Sequence, residues 1–153
     1  MNPTLTCYGA DIDRLAGLVG DFGLRSRVDV QSWFGNQWKA LAELLAGLTG
    51  AGAEVAAILV THHHRDHTGF AAALRERTGA PIYAHAATAE RVDFTVDVAL
   101  ADGAEIELGD GFVISAMHTP GHAPGHLVYR ELQTGLAYAG DMVAGVGTIL
   151  IDP

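Results

Sequence analysis

Cysteine is almost missing from this 153-residue chain: Cys7 stands alone, so no intrachain disulfide can form and no Cys-rich zinc module can be built. A reducing cytoplasm is the expected setting. Basic residues are also scarce, nine Lys and Arg against eighteen Asp and Glu, for a formal charge of −9. A chain this acidic repels nucleic acid and anionic membrane surfaces, and no run of Lys and Arg supplies a local exception. Bound divalent cations would offset part of that charge around a site, so nucleic acid is disfavoured as a partner without being excluded. Met1 to Ala10 lacks the basic segment and apolar stretch of a secretory signal. The charge-free apolar stretch Met142 to Ile151 falls short of the roughly 20 residues that cross a bilayer. Together these absences predict a soluble protein acting on a small molecule.

What the chain does contain is enough apolar material, 49% of its residues, to bury the core of one domain. Trp38, Leu41, Leu45 and Leu48 fall on one face of a predicted helix over 36–48, with Asn36 as its N-cap and Thr49-Gly50 ending it. Residues 11–20 carry a weaker helical spacing interrupted by two glycines. The short β-branched run Val55 to Val60 predicts a buried strand, Phe70 to Arg77 a helix closed by Gly79, and Pro81 to Ala84 the next strand. That order is a βαβ-like unit. The second half reads as mainly β: Glu105–Leu108 and Phe112–Ala116 as a hairpin across Gly109-Asp110-Gly111, then Leu127–Arg130 and Leu136–Ala139 as another. Residues 86–99 mix helical and alternating patterns and yield no assignment.

The eight histidines all lie between positions 62 and 126, and seven fall into two groups: 62, 63, 64, 67 and 118, 122, 126. A solvated His-rich loop that binds metal adventitiously is the bland alternative. The order within the first group favours a built site. Residues two apart on an extended chain point the same way, so His62 and His64, just past a strand end, can hold one cation together. Asp66 and His67 follow where the chain turns toward a helix and can face a second cation beside the first. A tetrahedral ion needs a third protein ligand, which the second histidine group can provide from a Pro- and Gly-rich turn, Thr119 to His126. Tyr138-Ala139-Gly140-Asp141 ends a further strand with a carboxylate able to bridge two cations.

With His62-x-His64-x-Asp66-His67, the Thr119-Pro120-Gly121-His122 turn and the Gly140-Asp141 strand end in this order, the sequence resembles the metallo-β-lactamase-fold superfamily. The similarity covers approximately residues 54–153, and the ending looks like the lactamase-beta-2-like and glyoxalase-II-like branches. The resemblance implies an α/β (α+β) fold, a partial αββα sandwich spanning 1–153, with residues 1–35 as an atypical N-terminal segment. It implies that His62, His64 and His122 bind one metal, that Asp66 and His67 bind a second, and that Asp141 bridges both. His118 and His126 then take supporting or substrate-facing roles or plain structural ones, His63 points the other way along the chain, and His85, isolated from the motifs, is a satisfied or exposed histidine. In the family a water or hydroxide between the cations attacks a carbonyl or phosphorus centre, and Asp66 could orient it.

The resemblance therefore implies a Zn²⁺ hydrolase, with Fe or Mn possible, acting on an ester, thioester, lactam or phosphodiester. Two departures from the family pattern shape the remaining expectations. Only Val28-Asp29-Val30 faintly echoes the family's opening strand, and the family's last histidine ligand, downstream of the Asp141 position, has no counterpart before the chain stops. The chain thus reads as incomplete, with an apolar Met142 to Ile151 segment that favours a homodimer. A mononuclear iron enzyme of the persulfide-dioxygenase kind and a metal-binding chain without activity are the competing readings.

Overall fold

The computed structural model describes residues 54–143 continuously, together with 5–8, 43, 45–47, 50, 52, 149 and 151. Two four-stranded sheets organise it. The first is parallel, in the order β1 (Leu5–Tyr8), β2 (Val55–Leu59), β3 (Ile82–His85), β4 (Val98–Leu100). The second is antiparallel, in the order β5 (Glu105–Glu107), β6 (Val113–His118), β7 (Leu127–Glu131), β8 (Ala137–Tyr138).

β2 shows why the layers stack as they do. Side chains alternate faces along a strand, and both faces of this one are apolar. Ile58, with Val60 just past the strand end, packs on Leu45, Ala71 and Leu74, whereas Ala57 and Leu59 pack on Ile106, Ile114, Leu127 and Tyr129 of the other sheet. Helices therefore cover one face of the parallel sheet and the antiparallel sheet covers the other. That gives three layers of the expected αββα sandwich among the described residues.

Between β2 and β3 run two short helices, α1 (Arg65–Thr68) and α2 (Ala71–Thr78). Gly79 closes α2 in the left-handed conformation (φ 74°), where its N–H bonds the Arg75 carbonyl, as the sequence predicts. The predicted strands at 55–60 and 81–84 and both hairpins are present, each within a residue or two of its expected ends. Of the predicted helix at 36–48, residues 43 and 45–47 are helical, and so is Gly50, which the sequence reading had placed past the helix end. The weak helix at 11–20 and the Val28-Asp29-Val30 echo lie outside the described residues.

The unassigned stretch 86–99 resolves into α3 (Ala86–Ala89), a bend and β4. Asp97 holds that bend in place: its carboxylate takes two hydrogen bonds from the Arg75 guanidinium, at 2.8 and 2.6 Å, and one from the Ile82 amide at 2.9 Å. The Arg75 contact, followed by the Ile82 amide, holds the Asp97 carboxyl below its ordinary pKa. A depressed folded-state pKa contributes stability above the unfolded value, near 3.9, and loses it as pH falls through the folded value. Asp97→Asn should therefore lower the melting temperature at pH 7, and the gap from wild type should narrow steadily as thermal scans are taken below pH 4.

The two sheets are joined at the C-terminal end of β2. The Leu127 amide donates to the Thr61 carbonyl at 2.8 Å, and the buried Tyr129 hydroxyl donates to the Val60 carbonyl at 2.8 Å. Removing that hydroxyl leaves a buried carbonyl short of a partner. Tyr129→Phe should cost about 1–2 kcal/mol in urea unfolding with little change in slope; an unchanged midpoint would show that the bond carries no net stability.

Candidate metal centre

The chain leaves β2 at the C-terminal edge of the parallel sheet, where ligands of α/β folds gather, and immediately presents its histidines. His62 is fully buried and central. Its Nδ1 lies 3.1 Å from Thr61 Oγ1, which leaves Nε2 facing inward. That Nε2 lies 3.1 Å from His64 Nδ1 and 3.1 Å from His122 Nε2. Nitrogens about 2.05 Å from a tetrahedral ion sit about 3.3 Å apart, so both contacts of His62 are near the spacing of a zinc-type half-site, and all three ligand atoms lie within 4.8 Å of one another.

The charge state agrees. Burial, followed by the neighbouring His67, His126, His64 and His122, pushes the His62 pKa down to about 2, so the ring stays neutral with a lone pair to give. Ring nitrogens that turn lone pairs toward one another at this distance repel unless a cation or shared proton lies between them. The donor set therefore fits a divalent ion.

α1 turns the next residues inward. His67 Nε2 lies 3.1 Å from Asp141 Oδ1 and 3.6 Å from Asp66 Oδ2, and the other Asp141 oxygen lies 3.4 Å from His122 Nε2. Two donor groups result, His62-His64-His122 and His62-His67-Asp141, each with its ligand atoms within 4.8 Å of one another. The predicted residues His62, His64, His67, His122 and Asp141 thus converge. Asp66 lies at the rim with a side chain 59% exposed, near His67 but outside both groups.

His122 is delivered by the loop between β6 and β7. Thr119 N–H to His126 carbonyl (2.9 Å) closes that loop at its neck. Its far side rests on α3, where the buried Thr88 hydroxyl donates to the Gly125 carbonyl at 2.9 Å. A Cβ on Gly125 would meet Thr88 N at 2.5 Å, so only glycine permits this approach.

Several features escaped the sequence. His85 is not isolated: its ring stacks on His118 at 4.0 Å while its Nδ1 accepts the Ala87 amide and caps α3, so it is satisfied as expected. Burial is the main cause of the lowered His85 pKa, followed by the His118 charge. His118 Nε2 lies 2.9 Å from the Pro124 carbonyl and braces the loop. Thr61, Thr88 and Thr119 hold the histidines or their loop, and Thr-His adjacency at 61–62 is the one local signal that pointed to such a role. His63 lies outside both donor groups.

A family model for the metallo-beta-lactamase superfamily matches residues 21–153. The chain belongs to this superfamily. Hydroxyacylglutathione hydrolase from Cereibacter sphaeroides (strain ATCC 17025 / ATH 2.4.3) is 40% identical over 106 residues, covering 68% of this chain and 40% of the relative. The solved structure of BLEG-1 B3 metallo-beta-lactamase is similar with a TM-score of 0.57 and 26% identity, over 67% of this chain and 57% of that one. TTHA1623 in a di-iron-bound form gives a TM-score of 0.57 and 26% identity, over 71% and 60%. The chain spans less than half the length of the hydrolase relative, 40% of it. Among the described residues of this superfamily member, no helix is long and apolar enough to cross a membrane.

Because His62 belongs to both donor groups and His63 to neither, elemental analysis separates a built site from an adventitious His-rich loop. Alanine at position 62 should lower metal affinity by at least about 100-fold, whereas His63→Ala should retain wild-type stoichiometry. Equal loss in the two variants would favour the bland alternative.

Proposed function

We propose that this chain carries the two-cation centre of a metal-dependent hydrolase acting on a small-molecule thioester. The observation that best supports a two-cation reading is the division of the Asp141 carboxylate, one oxygen at 3.1 Å from His67 and the other at 3.4 Å from His122. A bridging ligand needs that arrangement. The thioester comes from the relatives' printed activity, since a hydroxyacylglutathione is a thioester.

In this reading His62, His64 and His122 hold the first cation, and His67, Asp141 and Asp66 the second. Imidazoles mixed with carboxylates suit Zn²⁺ best, with iron the next candidate and manganese a weaker one. Bound divalent ions bring the pKa of water from about 15.7 toward 7 and stabilise negative charge developing on the acyl oxygen. The protein's own part is to keep the His62 imidazole neutral, to fix that ring through Thr61, and to orient the attacking water through Asp66. Water adds to the acyl carbon, the carbon–sulfur bond breaks, and the thiolate leaves as thiol with a proton from that water.

The test is thiol release from a hydroxyacyl thioester of glutathione by the zinc-loaded chain, run beside ester, lactam and phosphodiester panels. Chelation should abolish turnover and Zn²⁺ should restore it. Asp66→Asn should lower kcat by about 10²–10⁴ while leaving the first cation in place. Full two-metal occupancy without thioester turnover would sink the substrate assignment. One iron per chain with oxygen uptake would replace the hydrolase by the oxygenase reading.

A further inference from the structure

His126 belongs to neither donor group, yet it is fully buried beside both. Its ring lies 5.0 Å from that of His62, near parallel to it. Its two nitrogens are both committed. Nε2 accepts the Asp141 backbone amide at 3.2 Å, so the proton sits on Nδ1, which faces Thr119 Oγ1 at 2.9 Å. Burial, ahead of the neighbouring His122, depresses its pKa to about 4 and so disfavours the charged ring, while the Asp141 amide selects the tautomer.

Asp141 is the half-exposed member of the centre, with a side chain 38% exposed, so burial does not fix its carboxylate. Its backbone does. Asp141 sits in a short 3₁₀ turn, Gly140–Met142, whose closing bond runs from Met142 N–H to the Ala139 carbonyl at 3.1 Å. Gly140 enters that turn at φ +51°, and a Cβ there would meet His126 Nε2 at 2.6 Å and Thr61 Cβ at 3.1 Å. The missing side chain at 140 is what lets the turn close onto the imidazole.

Resting on the two-cation reading, we propose that His126 is a positioning residue for Asp141: through the Asp141 amide it sets the carboxylate between the half-sites and so governs capture of the second cation, not the first. The first group, His62-His64-His122, is complete without Asp141. The second is not. Loss of the His126 acceptor should therefore separate the two binding steps.

The experiment is a stepwise Zn²⁺ titration of the full chain against a chromophoric chelator, with Co²⁺ absorption following each equivalent. Three variants discriminate. His126→Asn keeps a donor near the Nδ1 position but loses the acceptor toward Asp141; His126→Gln keeps an acceptor near Nε2; Gly140→Ala pushes the ring away from the amide. His126→Asn and Gly140→Ala should bind the first equivalent within about threefold of wild type and the second about 10- to 100-fold more weakly, with His126→Gln restoring most of the second. A merely structural role would weaken both equivalents together and give no rescue by Gln, which overturns the inference. Unchanged second-site affinity in His126→Asn and Gly140→Ala overturns it as well. Wild-type protein that takes up no metal, or only one ion, overturns the two-cation reading and this inference with it. If His126→Asn fails to fold, Gly140→Ala read beside His126→Gln decides the matter by the same ratio of affinities.

Discussion

The centre depends on two backbone carbonyls at the end of one strand. The Val60 amide still donates to the Tyr83 carbonyl of β3 at 2.9 Å, but the carbonyls of Val60 and Thr61 accept from the Tyr129 hydroxyl and the Leu127 amide of the antiparallel sheet, both at 2.8 Å. A buried carbonyl needs such a partner, and here the partner comes from the other half of the fold. This fixes the separation of the two sheet ends at the point where His62 emerges. The loop that precedes Leu127 then carries His122 and His126 to the same place. Residues sixty positions apart are held by a joint that is itself independent of any ion.

Rings brought together this way must still present the right nitrogens. Two threonines do that work: Thr61 Oγ1 faces His62 Nδ1, and Thr119 Oγ1 faces His126 Nδ1. In each case the outer nitrogen is occupied and Nε2 is left as an acceptor, turned toward the donor cluster in His62 and toward the Asp141 amide in His126. Burial adds the second half of the constraint by disfavouring the charged imidazolium. The same desolvation that would cost stability in an isolated histidine therefore preserves its ability to bind a cation.

Much of this was legible in the sequence, and the parts that were not share a cause. β2 and α2 were readable because local rules govern them: a short β-branched run between turn signals, and an apolar segment ended by Gly79. Spacing along the chain grouped His62 with His64 and Asp66 with His67, whereas the choice of His122 and the role of Asp141 came from the resemblance; the structure brings His62, His64, His67, His122 and Asp141 together. β4 was not readable, since Val98 to Leu100 is mostly exposed and its place is set by pairing with β3 and by Asp97, fifteen residues from the Ile82 amide it bonds. Nor could the sequence show that His85 stacks on His118, that Gly125 is needed for close approach, or that Gly140 serves a close approach as well as its turn. Such contacts join distant segments, and no periodicity encodes them.

The chain's charge of −9 and its donor cluster act at different ranges. Net negative charge raises the local concentration of any cation and is screened within about 10 Å at moderate salt, so it assists encounter without choosing an ion. Choice belongs to the first contacts. His62, His64 and His122 offer three borderline nitrogen donors and no carboxylate, a poor environment for calcium or magnesium and a good one for zinc or iron. His67 and Asp141 add a carboxylate to the second group, which makes it harder in character and less selective. The two donor groups, which share His62, are thus unlike in chemistry. An ion of the zinc type should fill the nitrogen-rich side first, and its charge then raises the cost of placing a second cation beside it unless the bridging oxygen is already held in position.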